Sequence, residues 1–251
     1  MLQLIGHSLV ATLAVSGLTQ GETTMHDLYI RLDTTAQAVT LGGVSFAAFY
    51  PCAKRYIRNM LLLKSDYVGA HCCKNFELLY GPSEIEAFLA SEDLRFGDFC
   101  FVDFADGADP NALTPEQVAE LLYAAHLWTP LRGIDFPPLQ NAFIYLSHDD
   151  AHTLKLFYTK FAAARDVLLR LVQFQLLQSG KMPMPTFPSS TADTLMELLQ
   201  VGVLVRAVDG AHIRLTEVGK TEDMDALWNR KNILAAPVRT LSLSSEGWTI
   251  V

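Results

Sequence analysis

The sequence predicts an α+β protein, with a mixed α/β main domain over 25–180 and a small C-terminal helix-plus-hairpin module over 191–251. Three observations support that class. Half of the 251 residues are apolar and only 18% are charged, the balance of an ordered globular chain long enough to bury a sizeable core. Short apolar runs with two-residue alternation recur along the chain, interleaved with longer runs of helical period. "KMPMPTFPSS" (181–190) carries three prolines in ten residues, and as the one clear linker-like stretch it sets a soft boundary between the two parts.

Residues 1–24 stand outside both parts. Their apolar centre, Leu9 to Leu18, has no Lys or Arg before it and is too short to span a bilayer well. They read as an N-terminal extension before a domain that starts near His26. "HDLYIRL" (26–32) alternates as a strand does. "AVTLGGVSFAAFYP" (38–51) is broken at Gly42-Gly43 and ends before Pro51; it fits two strands around a turn, or a strand and a short helix. "YIRNMLLLK" is equally open, while "NFELLYG" (75–81) is strand-like.

The next elements are better signalled. "PSEIEAFLASEDL" places Ser83 as a helix N-cap with Glu86 three residues on, a capping box. "GDFCFVDF" (97–104), rich in aromatics, is the strongest strand in the chain. "TPEQVAELLYAAHLW" repeats the capping box with Thr114 and Gln117, has Pro115 at the first helical position, and is ended by Pro130. "FIYLSHDDAHTLKLF" (143–157) reads as two strands about a turn. "TKFAAARDVLLRLVQFQLLQSG" (159–180) is a helix whose apolar residues, from Phe161 and Val167 to Phe174 and Leu177, cover much of its circumference. Such a helix is buried in a core or against a partner chain.

The C-terminal module opens with a capped helix ending at Gly202, followed by two strands around Asp209-Gly210, a favoured two-residue hairpin turn. "LSLSSEGWTIV" adds an edge strand. Residues 190–220, with "LLQVGVLVR" followed by "HIRLTEVGK", resemble the second half of a winged-helix domain. The resemblance implies a DNA reader whose phosphate contacts would come from Arg206, Arg214 and Lys220. The helix that would enter the groove carries Asp193 and Glu197 and no Lys or Arg, which argues against that use. The middle of the chain, "FCFVDFADGADPNALTPEQVAELLYAAHLWTPL" with "FIYLSHDDAH", resembles proteins of unknown function from Gram-positive bacteria, which implies a bacterial, cytoplasmic setting and no particular activity.

Composition excludes several roles. The formal net charge is −8 and the 19 Lys and Arg are scattered, so neither a nucleic-acid coat nor an anionic membrane surface fits as partner. Cys52, Cys72, Cys73 and Cys100 have no CxxC spacing and read as reduced, cytoplasmic thiols. "AHCCK" offers His71, Cys72 and Cys73 as soft metal ligands, but strand neighbours point to opposite faces, which favours buried free thiols. No GxSxG, P-loop, GxGxxG or HExxH motif is present.

Two stretches can carry chemistry. In "VDFADGADPN", Asp103 ends the strong strand, and Asp106 and Asp109 follow at three-residue spacing ahead of a helix. Three carboxylates at the carboxyl end of a strand can hold a divalent cation, although Asp, Gly, Pro and Asn are also what turns are made of. Asp103 shares a strand face with Phe99 and Phe101, and a buried strand-end acid is satisfied by a backbone N–H or an Arg, or else has a raised pKa suited to a general acid. In "HDDAH", the turn length decides whether His148 and His152 share a face. A two-residue turn at Asp149-Asp150 separates them. A three-residue turn over Asp149 to Ala151 pairs them, puts Tyr145 opposite Lys155 and is slightly favoured.

The leading expectation is a cytoplasmic bacterial protein that acts through protein contacts or self-association, with no cofactor. The alternative is a metal-dependent hydrolase or phosphoesterase with Asp103, His148 and His152 in catalysis, and Asp103, Asp106, Asp109, His148 and His152 as divalent-metal ligands. A winged-helix DNA-binding regulator is the third.

Overall fold

A computed structural model describes residues 27–64, 70–90, 99–148, 153–177, 186–221, 227 and 236–251. The extension 1–24, residues 149–152 with His152 among them, and residues 181–185 of the Pro-rich stretch lie outside the described residues. In chain order the elements are β1 (Leu28–Asp33), β2 (Ala38–Gly42), α1 (Phe46–Ala53), β3 (Asn59–Leu62), β4 (Glu77–Tyr80), α2 (Gly81–Leu89) and β5 (Cys100–Phe104). Then come α3 (Pro115–Leu127), β6 (Phe143–His148), β7 (Thr153–Tyr158), α4 (Phe161–Leu177), α5 (Ser189–Val201), β8 (Val203–Ala207), β9 (His212–Glu217), β10 (Val238–Ser244) and β11 (Gly247–Ile250).

The described strands form one antiparallel sheet in the order β11-β10-β9-β8-β1-β2-β7-β6-β5-β3-β4. Helices and an antiparallel sheet make this an α+β protein. The sheet runs without interruption through the C-terminal strands, because Leu28 and Ile30 of β1 pair with Val205 and Val203 of β8.

Alternation sorts side chains between two cores. On one face, Leu28, Ile30, Val39, Leu41, Tyr145, Leu154, Leu156, Val205, Leu215, Leu241 and Trp248 pack against α1, α4 and α5. On the other, α3 supplies Val118, Leu121, Leu122 and Ala125 over Leu61, Val102, Phe104, Ile144 and Leu146. Strands β5 and β6 are therefore covered on both faces and buried at every residue, which is why they read as nearly continuous apolar runs. A small third cluster, Tyr29, Leu204 and Leu227, lies on the second face beside β1 and β8.

Several expectations change at this level. The 38–51 run is a strand and a helix, and α1 continues through Pro51 to Ala53, with Ser45 as N-cap. Helix α2 begins at Gly81 with Tyr80 as N-cap, so Ser83 sits inside the first turn, where Glu84 accepts the Tyr80 N–H. The Thr114–Gln117 capping box forms as the residues require. Helix α3 ends earlier than Pro130, at a left-handed Trp128. On α4, Phe161 is 44% exposed while Val167, Leu168, Leu171 and Val172 are buried, so the apolar girdle is narrower than its composition implies. "LSLSSEGWTIV" belongs to two strands, β10 and β11, rather than one.

Both hairpin registers shift by a residue. Ala207 pairs with Ile213 and Val208 with His212, leaving a three-residue loop, not the two-residue Asp209-Gly210 turn, because the Asp209 carboxylate accepts the Ala211 and His212 N–H groups and holds a wider bend. In β6–β7, His148 pairs with Thr153, Leu146 with Lys155 and Tyr145 with Leu156. This excludes both turn lengths considered above: Leu154 and Leu156 share a face with Tyr145, and Ile144 and Leu146 face α3.

Candidate functional site

The acidic loop after β5 is built from three separate hydrogen-bonding arrangements. Asp103 is 3% exposed and lies on the α1–α4 face, opposite Met60 of β3. Its carboxylate accepts the Ala142 N–H at 3.0 Å and also the Phe143 N–H. Burial pushes its carboxyl up to about 7, against the downward pull of those two backbone donors. Asp106 is exposed and accepts from Asn59, whose amide nitrogen also donates to the Phe104 carbonyl, while its oxygen accepts the Gly81 N–H. Asp109 caps a short 3-10 turn at Pro110–Ala112, accepting the Asn111 N–H at 3.0 Å. Each carboxylate thus has a local structural partner.

His148 is 6% exposed at the far end of β6. It shares a face with Ile144 and Leu146, the α3 side, whereas Asp103 looks out on the α1–α4 side. Asp103 adjoins Phe143, and the five residue steps from there to His148 span about 17 Å at the rise of an extended strand. The two lie at opposite ends and on opposite faces of the sheet, so they do not converge on one substrate atom. Among the described residues no group of three His, Cys, Asp or Glu side chains is placed to hold a metal ion. Cys72 and Cys73 lie at the start of a 3-10 turn, Cys73–Asn75, rather than in a strand; Cys73 is buried and Cys72 half-buried, and all four cysteines are free thiols.

What the residues around His148 do form is an aromatic surface. Trp128, in the left-handed conformation (φ 56°) at the end of α3, lies over His148 with ring centroids 4.3 Å apart. One turn back along α3, Tyr123 meets His71 edge-on at 5.9 Å. Trp128 is 55% exposed, Leu127 68% and Tyr123 46%, so three large apolar side chains reach solvent within the last six residues up to the α3 cap. Sequence periodicity missed them because "LLYAAHLW" reads as apolar throughout. The available signal was a tryptophan directly before "TP", past the last turn that a proline-limited helix can close.

The C-terminal basic residues are spread over one outer sheet face and its margin. Arg206 pairs through Nε and Nη2 with Asp27. Arg214 stands directly opposite Arg206 on β9, and Lys220 is exposed beyond it. Helix α5 packs its apolar face on the sheet, with Leu195, Met196 and Leu199 buried, and presents Asp193, Thr194, Glu197 and Gln200 to solvent. No helix among the described residues is long and apolar enough to cross a membrane.

No protein-family model matches this chain, and neither a curated protein nor a solved structure does.

Proposed function

We propose that this chain works as a protein-interaction module whose contact surface is the end of α3. The observation that carries the reading is the cluster of Tyr123, Leu127 and Trp128, exposed together beside a buried His148 on a two-sided, tightly packed part of the sheet. Scattered apolar side chains are ordinary on a protein surface, but aromatic residues grouped on a rigid support are what interface centres are made of. Holding Trp128 at positive φ costs about 1 kcal/mol, so its placement over His148 is a maintained feature. The four free thiols support a reducing, cytoplasmic setting for such a protein.

The test is a photo-crosslinking residue placed at Leu127 in the full chain, expressed in cells, with Glu246 as an exposed control. A discrete protein adduct at position 127 and none at 246 is the expected result. Adducts that are equal at both positions, or absent at 127, refute the reading.

A further inference from the structure

We propose that Arg206 and Arg214, on the open face of β8–β10, form a binding site for a phosphate group. This goes beyond the α3 surface and does not depend on it. The register sets one cross-strand row: Asp27 lies next to the Leu28–Val205 pair and bonds Arg206, Arg206 faces Arg214, and Arg214 faces Thr240. Directly opposed residues of antiparallel strands share a face. That face is open here, since Arg206 and Thr249 are exposed and Arg214, Thr240 and Ser242 half-buried, while their neighbours Ile213, Leu241 and Trp248 are buried on the other side.

Two like charges directly opposite one another destabilise a strand pair, and here only one of the two guanidinium groups, that of Arg206, is bonded to a carboxylate among the described residues. Asp27 takes both of its bonds from Arg206. Among the described residues, Asp209 of the β8–β9 turn is held by His212 and by the Ala211 N–H. Among the described residues no carboxylate pairs with Arg214, and its Nε is buried without a hydrogen-bond acceptor. A cationic excess is thus held in place within a chain of net charge −8.

The chemistry of the row selects the ligand. Two guanidinium groups flanked by the hydroxyls of Thr240 and Ser242 offer more donors than the two oxygens of a carboxylate use, and match the three or more oxygens of a phosphate. His212, which shares this face opposite Ser242, has its ring held by Asp209, and Tyr29 is buried, so the row recognises the phosphate and not a nucleobase.

The experiment is a calorimetric and thermal-shift titration of the full chain with inorganic phosphate, against acetate and chloride at matched ionic strength. Saturable binding of phosphate is expected, with no equivalent response to acetate. Arg214→Gln should weaken it about tenfold or more, as loss of a charge-assisted bond does. Thr240→Val should weaken it less, and Asp27→Asn, which frees Arg206 from its competing carboxylate, should strengthen it. Arg214→Gln also removes the like-charge opposition, so it should fold at least as stably as the parent. Absence of phosphate binding, an equal response to acetate, or binding unchanged in Arg214→Gln would each overturn the assignment.

Discussion

The Asp103 carboxylate takes the N–H of Phe143, the residue that follows in register on β6, so a side chain replaces a rung of the β5–β6 ladder. Because Asp103 is 3% exposed, charging it costs solvation that the two backbone donors only partly return. Its carboxyl is raised from 3.8 to about 7, so the folded chain holds a proton there that the unfolded chain has released. The stability this contributes is fully present below about pH 4 and is lost as pH rises through about 7. The free energy of unfolding should therefore fall between about pH 4 and about pH 7, by an amount on the order of a few kcal/mol. Asp103→Asn should flatten that slope; parallel pH profiles for the two proteins would count against this origin.

Gly202 closes α5 at φ 101°, and a methyl group there would meet the Gly219 carbonyl oxygen at 2.3 Å and the Tyr29 hydroxyl at 2.9 Å. The same hydroxyl donates to the Gly219 carbonyl and accepts the Thr221 N–H. Gly202→Ala should cost roughly 3 kcal/mol or more through strain and displaced backbone. Tyr29→Phe should cost about 1–3 kcal/mol by removing the buried hydroxyl that joins the Thr221 N–H to the Gly219 carbonyl. Chemical denaturation of both variants checks this, and a Gly202→Ala change of under about 1 kcal/mol would contradict the contact.

Helix starts give a paired test. Thr114 accepts the Gln117 N–H as a true N-cap, whereas Ser83 lies within the first turn of α2 and has no capping role. Thr114→Ala should destabilise by about 1 kcal/mol, and Ser83→Ala by no more than about 0.5 kcal/mol. Equal losses would restore Ser83 as the cap.

Trp128 separates conformation from contact. Trp128→Gly and Trp128→Ala both remove the ring from His148, but only glycine occupies φ 56° without strain. The glycine variant should be the more stable of the two by about 1 kcal/mol, measured by equilibrium unfolding. The reverse order would mean that α3 does not end in a left-handed residue.

Much of this architecture could be read directly from residues. Thr114, Gln117 and Pro115 announced α3, Gly202 announced the end of α5, and the aromatic "CFVDF" announced β5, because each is a local rule that packing does not override. Helix α2 was displaced because Gly81, at φ 75°, starts the turn two residues before the serine. The β6–β7 register escaped because both faces of β6 are buried, and an apolar run with two cores has no polar side to fix its phase. Asp103 was legible as a buried acid satisfied by backbone N–H, but its separation from His148 was not, since alternation counts faces only once a strand's partners are known. The Tyr123–Leu127–Trp128 surface required tertiary placement, because α3's buried and exposed apolar residues look alike in sequence.

The position of β1 has a consequence for synthesis of the chain. Val39 and Leu41 of β2 pair with it early, but its other side waits for Val203 and Val205. Until β8 has emerged from the ribosome, Leu28–Asp33 offers an unpaired apolar edge in what becomes the interior of the sheet, a template for wrong partners. A polypeptide stopped within 181–190 is left with a sticky seam where the native one has its central joint.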